Sequence, residues 1–283
     1  MDFYKYHALG NDYIVIDPQK TYLDLNPHNI SLICNRNYGI GSDGILFGPM
    51  FDDEKIYLRI YNPDGSEAET SGNGIRIFAR YLINANYIVE NAFSVNTVAG
   101  ESKIEVLNDD ATLIKVDMGS VSFSSPDIPV SGDPREVVNE IIDLNGSKVK
   151  VICLSIGNPH CVIPLESITP QIVKEMGPMV ETHALFPNRI NVQLLEIIDR
   201  KKIKIEIWER GVGYTLASGS SSCAAAAAAY KIGLVDRCVT VEMPGGIIDV
   251  EIDENYNIHL IGAVSSIAEG FFTYEMWKKI ASP

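Results

Sequence analysis

No stretch of this chain is apolar for long enough to cross a membrane. The Ala224 to Ala229 tract falls far short of the roughly 20 residues a spanning helix needs. The start, Met1-Asp2-Phe3-Tyr4-Lys5, lacks the basic region and apolar core of a signal peptide. Basic residues are scarce beside acidic ones. The 23 Lys and Arg against 37 Asp and Glu, a formal charge of −14, count against a nucleic-acid or anionic-membrane surface. The five cysteines (Cys34, Cys153, Cys161, Cys223, Cys238) are odd in number and lack metal-ligand spacing, and no HExxH accompanies them. They are expected as reduced thiols of a cytoplasmic protein. The glycines form neither a phosphate loop nor a dinucleotide fingerprint, so the sequence motivates no metal and no cofactor.

What is present is a globular composition, 46% hydrophobic and 21% charged, in 283 residues, enough for one large domain or two ordinary ones. An internal repeat favours two. Lys55 to Gly72 lies over Lys202 to Gly219 without a gap, at an offset of 147 (218 − 71). Ile56, Leu58 and Ile60 fall on Ile203, Ile205 and Ile207, Tyr61 falls on Trp208, and both segments end Ser-Gly. The same offset carries Gly10-Asn11 onto Gly157-Asn158 and Val15 onto Val162. A register kept that far argues for duplication of a whole domain.

Alternation predicts strands at Lys55 to Tyr61 and Lys202 to Trp208, and shorter ones around Tyr13 to Ile16, Cys161 to Pro164 and Ile190 to Ile197. Asn62-Pro63-Asp64-Gly65-Ser66 is turn chemistry. Gly74 to Asn84 reads as a helix with Ile75, Phe78, Tyr81 and Leu82 on one face. Its counterpart, Ser220 to Ile232, is apolar all round and is expected to run buried through its domain. The polar, proline-bearing Ser120 to Asp133 region is the expected linker. The chain after Gly262 resembles neither repeat.

At each Ser-Gly junction a strand ends and a helix begins. The free N–H groups of a first helical turn, with the positive end of the helix dipole, suit a carboxylate. Serine is also a preferred N-cap in its own right, so one copy alone would be read as a cap. Two copies in register can share one anion. Arg210, at the end of a strand, could grip a second carboxylate with paired bonds, or form a surface ion pair. Asn11, Asn62, Asn158 and Asn191 lie at strand ends or turns. His160, on the repeat-matched turn, could be an acid, a base or a polar core residue.

Gly10-Asn11-Asp12, Tyr61-Asn62-Pro63-Asp64-Gly65-Ser66, Ser71-Gly72-Asn73-Gly74, Gly157-Asn158-Pro159-His160, Asn191, Glu209-Arg210-Gly211 and Ala217-Ser218-Gly219 together resemble the signature set of the diaminopimelate epimerase family, nearly end to end. The resemblance implies an α/β (α+β) protein of two similar domains, each a curved mixed β-sheet around a central helix, related by pseudo-twofold symmetry. Residues 1–118 with 263–283 would form one domain and 119–262 the other. It also implies a cytoplasmic isomerase of lysine and peptidoglycan synthesis that inverts an amino-acid α-carbon without pyridoxal phosphate, and it admits a homodimer. By resemblance Asn62, Asn158, Asn191 and Arg210 would hold the distal end of a small amino-acid substrate. His160 and Glu209 would lie near the reacting carbon. Asn11, Gly72, Asn73, Gly219 and Ser220 would complete the binding site around the two helix starts.

In the family the two acid/base groups are cysteines, and here both positions hold serine, Ser71 and Ser218. A thiol with its pKa near 8.5 exchanges protons readily at neutral pH. A serine hydroxyl is too weak an acid to rest as an alkoxide, and no strong base adjoins either serine in sequence. Turnover is therefore expected to be low. Whether cysteines were exchanged here or the chain is a natural serine-bearing relative stays open. So do two other readings: a racemase of another amino acid, and a catalytically silent amino-acid-binding protein. Tyr214 is a further departure, standing where the family often carries an acidic residue.

Overall fold

The computed structural model describes residues 2–281. The outermost residues of the expected first domain, Met1, Ser282 and Pro283, lie outside the described residues. The first half runs β1 (Asp2–Ala8), β2 (Asn11–Ile16), α1 (Pro27–Cys34), β3 (Ile45–Asp52), β4 (Lys55–Tyr61), β5 (Glu67–Ala68), α2 (Gly72–Asn84), β6 (Ala92–Thr97), β7 (Gly100–Val106) and β8 (Leu113–Ser120). The second runs β9 (Val138–Leu144), β10 (Ser147–Ser155), β11 (Pro159–Pro164), α3 (Pro170–Glu181), β12 (Asn191–Asp199), β13 (Lys202–Glu209), β14 (Gly213–Thr215), α4 (Gly219–Lys231), β15 (Cys238–Met243), β16 (Gly246–Ile252) and β17 (Asn257–Ala263). The chain ends in β18 (Ser265–Phe271) and α5 (Tyr274–Ala281).

These elements form two compact units, one running to Val116 and resuming at Gly262, the other Asp117–Ile261. Strand pairing within each follows one plan. In the first unit the order is β18-β1-β2-β3-β4-β6-β7-β8, with β2/β3 and β4/β6 parallel and the other pairs antiparallel. In the second it is β9-β10-β11-β12-β13-β15-β16-β17, with β11/β12 and β13/β15 parallel. The parallel pairs need crossovers, and helices supply them. Strand β18, from the far end of the chain, occupies the place beside β1 that β9 occupies beside β10.

Of the four crossover helices, α1 and α3 bury one face, while α2 and α4 are buried along most of their length. Ala224 to Ala229 are all fully buried in α4, which packs on β10, β11, β12, β13, β15 and β16. Methyl side chains let a helix sit that close to several strands while every backbone group stays paired within it. Helix α2 departs from the one-faced expectation: Ile75, Arg76, Ile77, Phe78, Ala79, Tyr81 and Leu82 are all buried. The buried Arg76 is tolerated because its guanidinium is bonded locally, to the Gly72 carbonyl at 3.2 Å and to Asn73 Oδ1 at 2.7 Å.

The linker expectation is corrected. The chain passes from the first unit to the second between Val116 and Asp117, inside β8. Ser120 to Asp133 is packed structure of the second unit. Ile128 and Val130 join its core, and the turn is closed by Val130 N–H donating to the Ser125 carbonyl at 2.7 Å. Its prolines mark tight turns over that core. Among the described residues no helix is long and apolar enough to cross a membrane.

Candidate active site

In the first unit, Ser71 is the extended N-cap of α2 (φ −152°, ψ 115°), and its Oγ accepts the Gly74 N–H at 3.0 Å. The N–H groups of Gly72 and Asn73 have no acceptor inside the helix. Asn73 gives its amide to Asn11 Oδ1 at 3.1 Å, and Asn11 gives its own to Asp43 at 3.0 Å. The start of β2 is thereby tied to the first turn of α2. Behind it, the Asp12 carboxylate meets Lys5 at 2.9 Å and Arg36 at 2.6 Å. Burial pushes its pKa up, and the two cations outweigh burial and hold it below the usual range. Asn62 stands apart from this cluster, exposed on its turn and bonded through its amide to Ser66 Oγ at 3.0 Å. Tyr13, which sequence reasoning did not single out, brings its phenol oxygen to 3.3 Å from Ser71 Oγ.

In the second unit, Ser218 is the matching N-cap of α4 (φ −150°, ψ 125°), with the Ser221 N–H at 3.4 Å and Ser220 Oγ at 3.5 Å. Glu209, at the end of β13, lies beside it. Burial raises the Glu209 pKa, and the hydroxyls of Ser218 and Thr215 partly offset that rise. A base that is remote in sequence is thus adjacent to Ser218 in the fold. His160 is fully buried on β11, with Nε2 at 2.9 Å from Asn158 Oδ1 and Gln193 nearby. Gln193 donates to Ser221 Oγ at 3.0 Å, in the first turn of α4. Burial lowers the His160 pKa to about 3, so the imidazole is neutral at physiological pH. That fits a polar, positioning core residue better than an acid.

Asn191 sits opposite His160 in the parallel β11/β12 register. It donates to the Pro159 carbonyl at 2.9 Å and accepts the Arg210 backbone N–H at 3.0 Å. The Arg210 side chain is exposed, with one guanidinium bond to the Asn188 carbonyl at 3.3 Å. Sequence reasoning missed what holds this turn. Buried Glu181, at the end of α3, accepts from Trp208 Nε1 at 2.7 Å and from the Gly211 N–H at 2.9 Å. Gly177 lets α3 press on the Trp208 ring, since a Cβ there would stand 2.5 Å from Cγ. A single acidic residue late in a helix carries no pattern that marks it beforehand. All five cysteines are free; Cys34, Cys153, Cys161 and Cys223 are buried and Cys238 is exposed.

Each unit thus has its own Ser-Gly helix start, whose free backbone N–H groups suit an anion beside a hydroxyl. Solved structures with a similar chain trace include an epimerase and a phenazine biosynthesis protein. One is a hydroxyproline epimerase from Agrobacterium vitis with bound trans-4-hydroxy-L-proline (TM-score 0.68, 12% identity, 99% of this chain and 98% of that one). Another is a PhzF-family phenazine biosynthesis protein from Bacillus anthracis (TM-score 0.63, 16% identity, 96% and 99%). The fold is therefore the two-domain epimerase and racemase fold. In sequence, a model of the family described as diaminopimelate epimerase matches residues 3–124 and 152–267. The chain is 51% identical over 280 residues to diaminopimelate epimerase 2 of a Nostoc species, covering 98% of this chain and 97% of that one. It is 36% identical to the diaminopimelate epimerase of Moorella thermoacetica over 96% of this chain and 99% of the relative. The chain belongs to the diaminopimelate epimerase family, isomerases of lysine biosynthesis.

Proposed function

We propose that this chain binds diaminopimelate or a close analogue and inverts its α-carbon by two-base proton transfer without a cofactor. Ser71 and Ser218 stand at the two acid/base positions, one from each unit acting on opposite faces of the carbon. The observation that carries the reading is the likeness of the two helix starts. Each serine is an extended N-cap, and each opens a buried helix of 13 residues. An α-proton is so weakly acidic that one group must remove it while another delivers a proton from the far side. The N–H groups at Gly72, Asn73, Gly219 and Ser220 would meet the α-carboxylate and stabilise the charge that builds on it. Asn11 and Asn73 would frame the first helix start. Asn62, Asn158, Asn191 and the exposed Arg210 would receive the remote terminus. His160, neutral, would hold Asn158 in place. The protein would work in the cytoplasm on a small amino acid, alone or as a homodimer.

A hydroxyl exchanges protons with carbon poorly, which favours a second reading: a form that binds its amino acid and scarcely turns it over. Glu209 gives Ser218 a proton acceptor, while Ser71 has a phenol as its neighbour. Turnover should be slow in the serine form and rise by orders of magnitude when Ser71→Cys and Ser218→Cys are made together. Either change alone should recover much less, since one group cannot complete an inversion. Loss of the α-proton signal in deuterium oxide measures all four forms. A serine form as fast as the double-cysteine form would overturn the argument from acidity.

A further inference from the structure

We propose that Tyr13 is a positioning residue for the acid/base group at position 71, its phenol donating a hydrogen bond that favours the deprotonated form of that group. The proposal deepens the functional reading and rests on position 71 being a proton-transfer site. The contact that carries it lies within the first unit.

The phenol oxygen stands 3.3 Å from Ser71 Oγ, and the Gly74 N–H reaches the same atom at 3.0 Å. With the phenol as donor, two donors converge on one half-buried atom at the positive end of a helix. Both stabilise negative charge there. The ring is held in place. Tyr13 is 8% exposed, and it lies against Gly44, where a Cβ would come within 2.7 Å of Tyr13 Cε1 and 2.5 Å of the Tyr61 carbonyl oxygen. No side chain fits at position 44 without moving the ring.

The internal repeat supplies an independent argument. At the offset of 147, Tyr13 falls on His160, a fully buried strand residue, and nearby Gln193 donates to Ser221 Oγ at the second helix start at 3.0 Å. Both units therefore carry a large, buried polar side chain at the same strand position. The neighbours differ in sense. Ser218 meets the Glu209 carboxylate, an acceptor that favours the protonated form. The counterpart of Glu209 is Asn62, which points its amide at Ser66 on its own turn. A phenol donor thus stands at the first junction where a carboxylate acceptor stands at the second.

The test is the pH dependence of iodoacetamide alkylation at position 71 in the Ser71→Cys protein, read by peptide mass spectrometry, with and without Tyr13→Phe. The Tyr13→Phe change should raise the apparent pKa of that thiol by about one unit, the size of one charge-assisted hydrogen bond. Applied to the Ser218→Cys protein, it should leave alkylation at position 218 unchanged. Coincident profiles at position 71, or equal shifts at both positions, would overturn the proposal. If Tyr13→Phe does not fold, 3-fluorotyrosine and 3,5-difluorotyrosine at position 13 keep the ring and grade its acidity. The thiol pKa should then fall stepwise, and a constant value refutes the hydrogen bond. Alkylation needs no turnover, so it decides the role of Tyr13 even where the epimerase reading fails. In the double-cysteine protein, Tyr13→Phe should lower kcat about tenfold with KM unchanged. A rise in KM alone would place the phenol on the substrate instead.

Discussion

Acid should destabilise the second unit through His160 beyond what its carboxylates account for. The imidazole is fully buried, and burial, aided by the nearby Arg210 charge, lowers its pKa from 6.5 to about 3. In the unfolded chain the same group titrates at its ordinary value. A folded pKa below the unfolded one contributes stability that is present above pH 6.5 and is lost as pH falls from there toward 3. Each pH unit inside that window costs about 1.4 kcal/mol, so about 2 kcal/mol is gone by pH 5. The perturbation is His160→Gln, which cannot titrate, compared with the parent by urea unfolding at pH 7, 6 and 5. Whatever the substitution costs at pH 7, the other titrating groups are common to both proteins. The parent's advantage should therefore shrink by about 2 kcal/mol between pH 7 and pH 5. Proton NMR should show the His160 ring unprotonated in the folded state down to pH 4. A stability difference that is the same at pH 7 and pH 5 would refute the reasoning.

Gly177→Ala should lower stability by about 1–3 kcal/mol, because the new Cβ meets Trp208 Cγ at 2.5 Å with α3 on one side and a strand on the other. An unchanged melting temperature would show that α3 can lift off. Glu209→Gln should stabilise the fold at pH 8, since a raised pKa marks a carboxylate whose ionised form burial disfavours. That gain should vanish as pH falls below the usual carboxylate range, and a gain that grows in acid would reverse the sign of the argument. Arg210→Ala should weaken calorimetric binding of diaminopimelate by about 2–5 kcal/mol and of alanine hardly at all. Equal losses would place the arginine away from the remote carboxylate.

The sequence showed the frame of the fold wherever periodicity was strong. Ile56, Leu58 and Ile60, with Ile203, Ile205 and Ile207, are buried as their alternation requires. Helices α2 and α4 span Gly72–Asn84 and Gly219–Lys231, still at the offset of 147. What escaped notice had a local reason. Strand β3 carries a Gly48-Pro49 cis peptide and a register shift between Phe47 and Met50, and proline inside an apolar run argues against a strand. Strand β18 was expected in the first domain only through the family resemblance, since no local pattern marks a strand whose partner, β1, lies at the other end of the chain. The burial of Arg76, off the apolar face named for α2, has no signal in the pattern, because periodicity cannot foresee an arginine bonded back to its own first turn. At the site, Ser71 and Ser218 were found as N-caps from their junctions alone. Glu181, Gln193 and Tyr13 were not, since each matters through one spatial contact that no spacing encodes.

The inversion proposed here needs two groups in unlike states at the same pH, one free to take a proton and one ready to give it. A perfect duplication would supply two identical junctions, both protonated or both not. Backbone and chemistry have parted accordingly. The offset of 147 pairs Ser71 with Ser218 and Gly72 with Gly219, so the helix starts and their N–H groups are common to both halves. The same offset pairs Tyr13 with His160, Gly44 with Asn191 and Asn62 with Glu209. Gly44 clears room for the phenol in one unit, while Asn191 ties down the Arg210 backbone in the other. Around Ser71 stand the Gly74 N–H and the Tyr13 phenol, and beside Ser218 stands the half-buried Glu209 carboxylate. Such differences bias one site toward the anion and the other toward the acid. In the proposed inversion the shared frame would bind the α-carboxylate, and the unlike neighbours would set which face of the carbon loses its proton first.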